Sequence, residues 1–558
     1  ENNIIHRDIK LSNIFVSKDG TFKLGDFGVS KRMNDTTMAG TLKGTPNYIA
    51  PEIYIGQEKY NSSVDNYSLG ILLYYLFNKK RFPYYPDFPY EYSTEDEDRA
   101  FYKRMKYEEL RKQYTEFYYH SFDIEDLQDA YRFTFHFEAK GLSEFAPTMT
   151  IPKPKDIPSH LNTKYVKEAA FSLGMVELIS YWKIACPENV IVECGKLDDY
   201  QIAWWKKLYF HGLGEFFYIN NIPLDPDGFM HLSSCGEQIS GDSYDAEVKG
   251  NLIPVGGGKD SFVTLDVLAP YKKDNCAFII NPVISAVNSA HAAGYKEGKD
   301  LIINQRTLDP RMLALNKQGY LNGHTPFSAM AAFASYLTAL IYERKYITLS
   351  NESSANESTI KGSTVNHQYS KTFEFEKDFH EYCKRYLTLD IQYFSLLRPL
   401  SELQIAGLFS RLTSYLPVFR SCNVGSKKGE WCGHCAKCLF VCCMLCAYLD
   451  DKTIVNIFHT DMLNDPSMKE LFEQLTGILD DKPFECVGTR DEVNIALCMS
   501  IRHHENNHEP LPELLSWYKT SAYYEAYKDK SVDMLAFNEE NNLPLEYAEI
   551  LKRKLREF

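Results

Sequence analysis

Residues 252–261, Leu-Ile-Pro-Val-Gly-Gly-Gly-Lys-Asp-Ser, constrain the fold more than any other stretch. An apolar run ends in three adjacent glycines, and a segment with helical spacing, 261–270, follows. A strand that turns into a helix through glycines belongs to α/β sheets, where loop amides and the helix N-terminus together cradle phosphate. A Walker A loop is excluded. That motif requires G-x-x-x-x-G-K-[ST], whereas Asp260 separates Lys259 from Ser261 and no glycine stands five residues before Gly258. A glycine-rich β-turn ahead of a helix is the plain alternative.

The stretch resembles the S-G-G-x-D-S loop of the PP-loop ATP pyrophosphatases, with Gly256 in place of the leading serine. The resemblance implies that Gly256, Gly257, Gly258 and Ser261 line an ATP site. It also implies that Lys259 offsets charge on the β-phosphate and that Asp260 helps to hold Mg2+. Enzymes of this type split ATP between the α- and β-phosphates and leave AMP on a substrate oxygen.

Bulk properties narrow the setting. The 558 residues carry 61 basic and 75 acidic side chains, a net charge of −14, so nucleic acid and anionic membranes are not expected partners. Of 14 cysteines, seven fall between Cys422 and Cys446, unlike the even framework of a small secreted domain, and a reducing cytoplasm is expected. The long uncharged stretch 323–342 contains His324 and Pro326 and predicts a buried helix after the proline, with no membrane insertion. The first residues, Glu-Asn-Asn, are neither a start methionine nor a signal peptide, and a truncated N-terminus is expected.

Four blocks in the first hundred residues occur in a fixed order: HRDIKLSNIFV (6–16), LGDFGVS (24–30), GTPNYIAPE (44–52) and DNYSLGILLYYLF (65–77). They resemble the C-terminal lobe of a eukaryote-like serine/threonine protein kinase. The resemblance implies that Asp8 accepts the substrate hydroxyl proton, that Lys10 neighbours the γ-phosphate, and that Asn13 and Asp26 hold magnesium on the phosphates. Leu11 stands where the family usually has proline. The glycine-rich loop, strand lysine and helix glutamate of such kinases precede the catalytic loop, at which this sequence begins, so an inactive fragment is expected.

Near 111–115 the pattern changes to the alternation of AYRFTFHFEA (130–139), a strand. The predicted organisation is a kinase C-lobe fragment (1–110), an α+β region (115–245), a PP-loop ATP-binding domain with the cysteine cluster (246–500) and a helical C-terminal region (501–558). The fold class is thus multidomain α/β and α+β. Its main part is a parallel-sheet domain of the adenine nucleotide alpha hydrolase-like type with a Cys-rich metal loop, preceded by a mostly helical kinase fragment.

Further blocks are WWKKLYFHGLGEFFYIN (204–220), LNGHTPFSA (321–329), LSNESSAN (349–356), VNHQYSKTFEFE (365–376), YFSLLRPLSELQIAGLF (393–409), SCNVGSKKGEWCGHCAKCLFV (421–441) and PFECVGT (483–489). With the glycine loop they resemble the MurL family of UDP-N-acetylmuramoyl-L-alanyl-L-glutamate epimerases, from about residue 115 nearly to the end. The resemblance implies inversion of the terminal L-glutamate of UDP-MurNAc-L-Ala-L-Glu, with ATP and Mg2+ consumed and AMP and pyrophosphate released. The product would feed the peptidoglycan precursor ligases of a bacterial cytoplasm. Adenylation cancels the charge of the carboxylate, so a base of ordinary pKa can remove the neighbouring proton and a second group can return it from the other face.

Candidate proton carriers are His324, His367, Glu402 and Cys486. The plain alternatives are hydrogen-bonded structural histidines, an i,i+4 ion pair of Glu402 with Arg398, and a buried Cys486. Asn351, Glu352, Asn356, Asn366 and Gln368 are candidates for the nucleotide or magnesium site, or else loop polar residues. Other functional classes stay open: a serine/threonine kinase, a PP-loop adenylating ligase or amidase, and a non-catalytic scaffold.

Cys432, Cys435 and Cys438 follow C-x2-C-x2-C, with Cys422 upstream. Four thiolates suit a structural Zn2+, and the arrangement resembles the metal loop of the 7-cyano-7-deazaguanine synthases. Counting Cys442 instead of Cys422 gives the spacing of a [4Fe–4S] cluster, although no proline follows. A metal-free apolar helix through Cys442, Cys443 and Cys446 is the third possibility.

Overall fold

Every second residue of Ala130–Ala139, from Tyr131 through Phe133, Phe135 and Phe137, is buried. That alternation sets the strand's register, because a one-residue slip would expose three phenylalanines, each worth about 1.5–3 kcal/mol of burial. The computed structural model describes residues 4–6, 8–10, 13–17, 21–25, 31–32, 63–77 and 106–557, apart from 246, 354–368, 388–389, 426–427, 480–482 and 484–486. The chain divides into two compact units, Glu1–Glu109 with Ile219–Ile222, and Leu110–Tyr218 with Pro223–Phe558.

In the first unit, the described residues form short antiparallel strand pairs and the helix Ser63–Phe77. The His6 amide donates to Asp65 of that helix at 2.6 Å.

Elements of the second unit are numbered from its start. Its strands are β1 (Glu116–Asp126), β2 (Ala130–Ala139), β3 (Ser143–Phe145), β4 (Thr148–Pro152), β5 (Asn189–Val192), β6 (His231–Ser234), β7 (Asn251–Pro254), β8 (Asn275–Ile280), β9 (Leu301–Thr307), β10 (Tyr346–Leu349) and β11 (Gln392–Ser395). One sheet holds them in the order β6-β5-β1-β2-β4-β9-β8-β7-β10-β11, with β3 beside β2. The pairs β1–β2, β2–β4 and β4–β9 are antiparallel, whereas β9, β8, β7, β10 and β11 run parallel to one another. After their opening Asn251 and Asn275, strands β7 and β8 are apolar, and they are buried on both faces, as the interior of a parallel sheet requires.

The helices used below are α1 (Lys164–Trp182), α2 (Asp199–Gly212), α3 (Lys259–Val267), α4 (Ile284–Ala292), α5 (Phe327–Ile341), α6 (Phe373–Tyr386), α7 (Glu402–Ser410), α8 (Ala436–Leu445), α9 (Arg490–Asn507) and α10 (Leu545–Arg556). Thr163 caps α1 by accepting the Val166 amide, and the helix is buried along nearly its whole length. The uncharged stretch after Pro326 becomes α5, also buried. Among the described residues no helix is long and apolar enough to cross a membrane. Helices α3, α7, α8, α9 and α10 contribute to one core with β8 and β11.

In chain order the parallel half reads third, second, first, fourth, fifth strand. The order reverses between β7 and β10, and in open parallel sheets ligands settle outside the carboxyl ends of the strands at such a reversal. The glycine loop leaves β7 there, and Asn351 and Glu352 leave β10 there.

Candidate active site

Strand β7 delivers Gly256, Gly257 and Gly258 directly to the start of α3. Gly257 has φ +91°, and a Cβ at this position would sit 2.9–3.0 Å from the backbone of Ser285 and Ala286 at the start of α4. Only glycine meets both demands. Gly258 is the N-cap of α3 and supplies no side-chain cap, so the first-turn amides are left for another acceptor. The loop is held from inside, where the Gly256 amide donates to the Ser261 hydroxyl at 3.0 Å.

Lys259 does not project into solvent. Its side chain is 2% exposed, and its ammonium donates to Asp260 at 2.5 Å and to Glu402, the first residue of α7. Burial alone would pull this ammonium's pKa down, but the Asp260 and Glu402 carboxylates outweigh burial and hold it above its ordinary value. Glu402 is pushed up to about 8 by burial, reinforced by Asp260 and Glu352 and opposed by Lys259. The lysine keeps its proton, and Glu402 is the member of the pair whose charge changes near neutral pH.

A fourth carboxylate adjoins. Glu492, third residue of α9, accepts the Glu402 amide at 2.7 Å while closing a capping box with Thr489. Burial raises its pKa too. Gly488, just before α9, permits this approach, since a Cβ there would lie 3.0 Å from Glu402 Cγ and 2.9 Å from Phe440. The sequence reading missed Glu492, although the T-x-x-E pattern from Thr489 to Glu492 signals a helix start.

The i,i+4 pairing of Glu402 with Arg398 does not form. Pro399 and the capping residue Ser401 stand between them, so α7 begins at Glu402 and Arg398 lies outside any helix. Arg398, 1% exposed, reaches Glu376 of α6 at 3.2 Å and donates to the carbonyls of Glu352 and Lys371 at 2.7 and 2.6 Å. It thereby ties the loop after β10 to the loop after β11. Asn351 donates to Ser395 at 3.3 Å on the same edge.

His324 stands elsewhere in the unit, with Nδ1 3.9 Å from Glu215. The preceding Gly323 carbonyl accepts from Lys183 of the α1 C-terminus, whose pKa burial, with Arg306, lowers to about 8. His367 and Cys486 lie outside the described residues, as do Asp26, Asn356, Asn366 and Gln368. In the first unit, Asn13 donates to Asp8 Oδ2 at 2.9 Å, and Lys10 pairs with the same oxygen at 3.1 Å.

The sulfurs of Cys422, Cys432, Cys435 and Cys438 all lie within 4.8 Å of one another. Neighbouring pairs are 4.0, 3.7 and 3.5 Å apart. Four thiolates about 2.3 Å from one tetrahedral ion stand about 3.8 Å apart, so this spacing fits a single metal. The Gly425 and Cys432 amides donate to Cys422 at 3.1 and 3.4 Å. Cys442 is buried in the core face of α8 and is not part of the convergent set, so the iron–sulfur count that replaced Cys422 with Cys442 does not describe this cluster. The cluster also braces the glycine loop: the Arg420 amide donates to the Gly257 carbonyl at 2.8 Å, and Ser421 packs 3.4 Å from a Gly258 Cβ.

The MurL N-terminal domain matches residues 108–396, just over half of the chain, and the MurL C-terminal domain matches 418–525. The chain belongs to the MurL family. A UDP-N-acetyl-alpha-D-muramoyl-L-alanyl-L-glutamate epimerase of Xanthomonas oryzae pv. oryzae is 32% identical over 364 residues, 64% of this chain and 79% of that protein. The protein of the same name from Salinispora tropica is 33% identical over 371 residues, with the same coverage.

A protein kinase domain matches residues 1–132. Protein kinase C-like 1 of Caenorhabditis elegans is 53% identical over 75 residues, 13% of this chain and 10% of that protein. The kinase match overlaps the MurL match, and the overlap contains β1, which lies inside the sheet of the MurL unit.

Proposed function

We propose that the chain epimerises the terminal L-glutamate of UDP-MurNAc-L-Ala-L-Glu through an acyl-adenylate formed from ATP. The observation that carries this reading is the placement of the glycine loop, with the buried Lys259–Asp260–Glu402 group behind it, at the strand-order reversal of a parallel sheet in a MurL chain. The order of those strands and the uncapped N-terminus of α3 support a PP-loop assignment.

The substrate carboxylate attacks the α-phosphorus of ATP, an acyl–O–P bond forms, and pyrophosphate leaves toward the loop amides and α3. Asp260 and Glu352 present the hard oxygen donors that would hold Mg2+, which when bound offsets polyphosphate charge. With the carboxylate esterified, the glutamate Cα proton is removed by a base and returned from the opposite face. Glu402, with its raised pKa, is the proton carrier assigned to the loop side. Water then cleaves the adenylate, giving the D-glutamyl carboxylate and AMP. The four-cysteine cluster is assigned a structural Zn2+ that holds the 420–422 segment against the loop.

Exchange of labelled pyrophosphate into ATP tests the reading. Exchange that depends on UDP-MurNAc-L-Ala-L-Glu is expected; ADP and orthophosphate as products contradict it.

A further inference from the structure

A cavity of about 340 Å³ lies beside the glycine loop, lined by Ser285, Asn288, His291, Arg420 and Gly429 together with apolar residues. Ser285 is the residue against which Gly257 packs, so pocket and loop share a wall. Among the described residues no carboxylate lines the cavity, and Glu297 lies 3.8 Å from His291 at its edge. Arg420 is half-buried, and among the described residues its guanidinium donates to backbone carbonyls, Gly429 at 3.2 Å and Phe419 at 2.6 Å. Among the described residues no carboxylate pairs with it. A guanidinium withdrawn from water without a counter-ion is costly. The adjoining Ser421 hydroxyl, packed against Gly258, is buried with no hydrogen-bond partner among the described residues.

We propose that this cavity is a diphosphate-binding site with Arg420 as its cationic head. It rests on the reading that the chain handles ATP and a uridine nucleotide-sugar, and either compound supplies the chemistry: the pyrophosphate end of the first or the diphosphate bridge of the second. Ser285 and Asn288 on α4 add neutral donors, and the guanidinium fork suits two phosphate oxygens at once.

The test is calorimetric titration of the full, metal-loaded chain with inorganic pyrophosphate, UDP and, as a control without a diphosphate, AMP. Asn288 is exposed on α4, so Asn288→Asp places a carboxylate in the cavity without disturbing the core. Asn288→Asp and Arg420→Gln are each expected to weaken one diphosphate by at least about ten-fold, with Arg420→Lys intermediate and AMP unchanged. Loss confined to pyrophosphate assigns the site to ATP, and loss confined to UDP assigns it to the nucleotide-sugar. Parent-like binding of both diphosphates by Asn288→Asp overturns the proposal, even where Arg420→Gln does not fold. Substrate-dependent AMP release by the parent separates that result from failure of the underlying reading; a parent that binds neither diphosphate overturns the site as well.

Discussion

Lys259, the first residue of α3, and Glu402, the first residue of α7, meet as a buried pair, with side chains 2% and 3% exposed. Two helix N-termini thus bring their opening residues together beside the glycine loop. Glu402 ionises near 4.5 in the unfolded chain but only near 8 in the folded one. Between those pH values the unfolded chain binds fewer protons, so this group's contribution to stability is full below about 4.5 and is lost as pH rises through 8. Lys259, raised by its partners, contributes below its ordinary value of 10.5 and loses that contribution only at higher pH. Melting temperatures of the parent and Glu402→Gln between pH 5 and 8 provide the check. The parent is expected to lose more stability across this window than the variant, and equal slopes would contradict the assignment.

Removing the cation should cost more than removing the carboxylate. Lys259→Met leaves Asp260, Glu352 and Glu402 without their ammonium and is expected to destabilise the fold by about 3–5 kcal/mol at pH 8. Chemical denaturation of the single variants and of Lys259→Met/Glu402→Gln should give a strongly non-additive cycle.

The thiol cluster is expected to carry one zinc and no iron per chain by elemental analysis. Cys435→Ser should lose that metal and lower the melting temperature by at least several degrees. Because Arg420 and Ser421 touch Gly257 and Gly258, the same variant should also bind ATP more weakly. Retention of both metal and ATP affinity would separate the cluster from the loop.

Gly257→Ala meets the backbone of α4 and forces a left-handed φ on alanine, a strain of roughly 1–3 kcal/mol. ATP binding measured by calorimetry is expected to fall at least ten-fold while the zinc content stays at one.

At the opposite end of β7, the Asn251 side-chain oxygen accepts from Thr348 of β10 at 2.8 Å and from Tyr547 of α10 at 2.6 Å, and its amide donates to Asn275 of β8 at 2.8 Å. Asn251→Ala strands buried hydroxyls on two elements and should cost about 2–4 kcal/mol in denaturant unfolding.

Local signals in the sequence located the strand-glycine-helix turn, the alternating strand Ala130–Ala139, the buried helix after Pro326 and the convergent cysteines. Each depends on residues close together in the chain. Partners far apart were not legible: Lys259 and Glu402 are separated by 143 positions, and nothing in either block marks the other as its neighbour. Arg398 and Glu402 had helical spacing, yet Pro399 removes the helix that such spacing presumes. Glu492 was concealed because a capping-box glutamate has a sufficient local role, and its second contact, with the Glu402 amide, exists only once α7 and α9 pack.

The most direct measurement is turnover of UDP-MurNAc-L-Ala-L-Glu with ATP and Mg2+ in deuterated water, with nucleotides and the glutamate α-position followed together. Deuterium entering that position with AMP and pyrophosphate released, and neither event without ATP, is the predicted result. Isotope entry with ATP left intact, or AMP release with no isotope in the glutamate, would contradict the account.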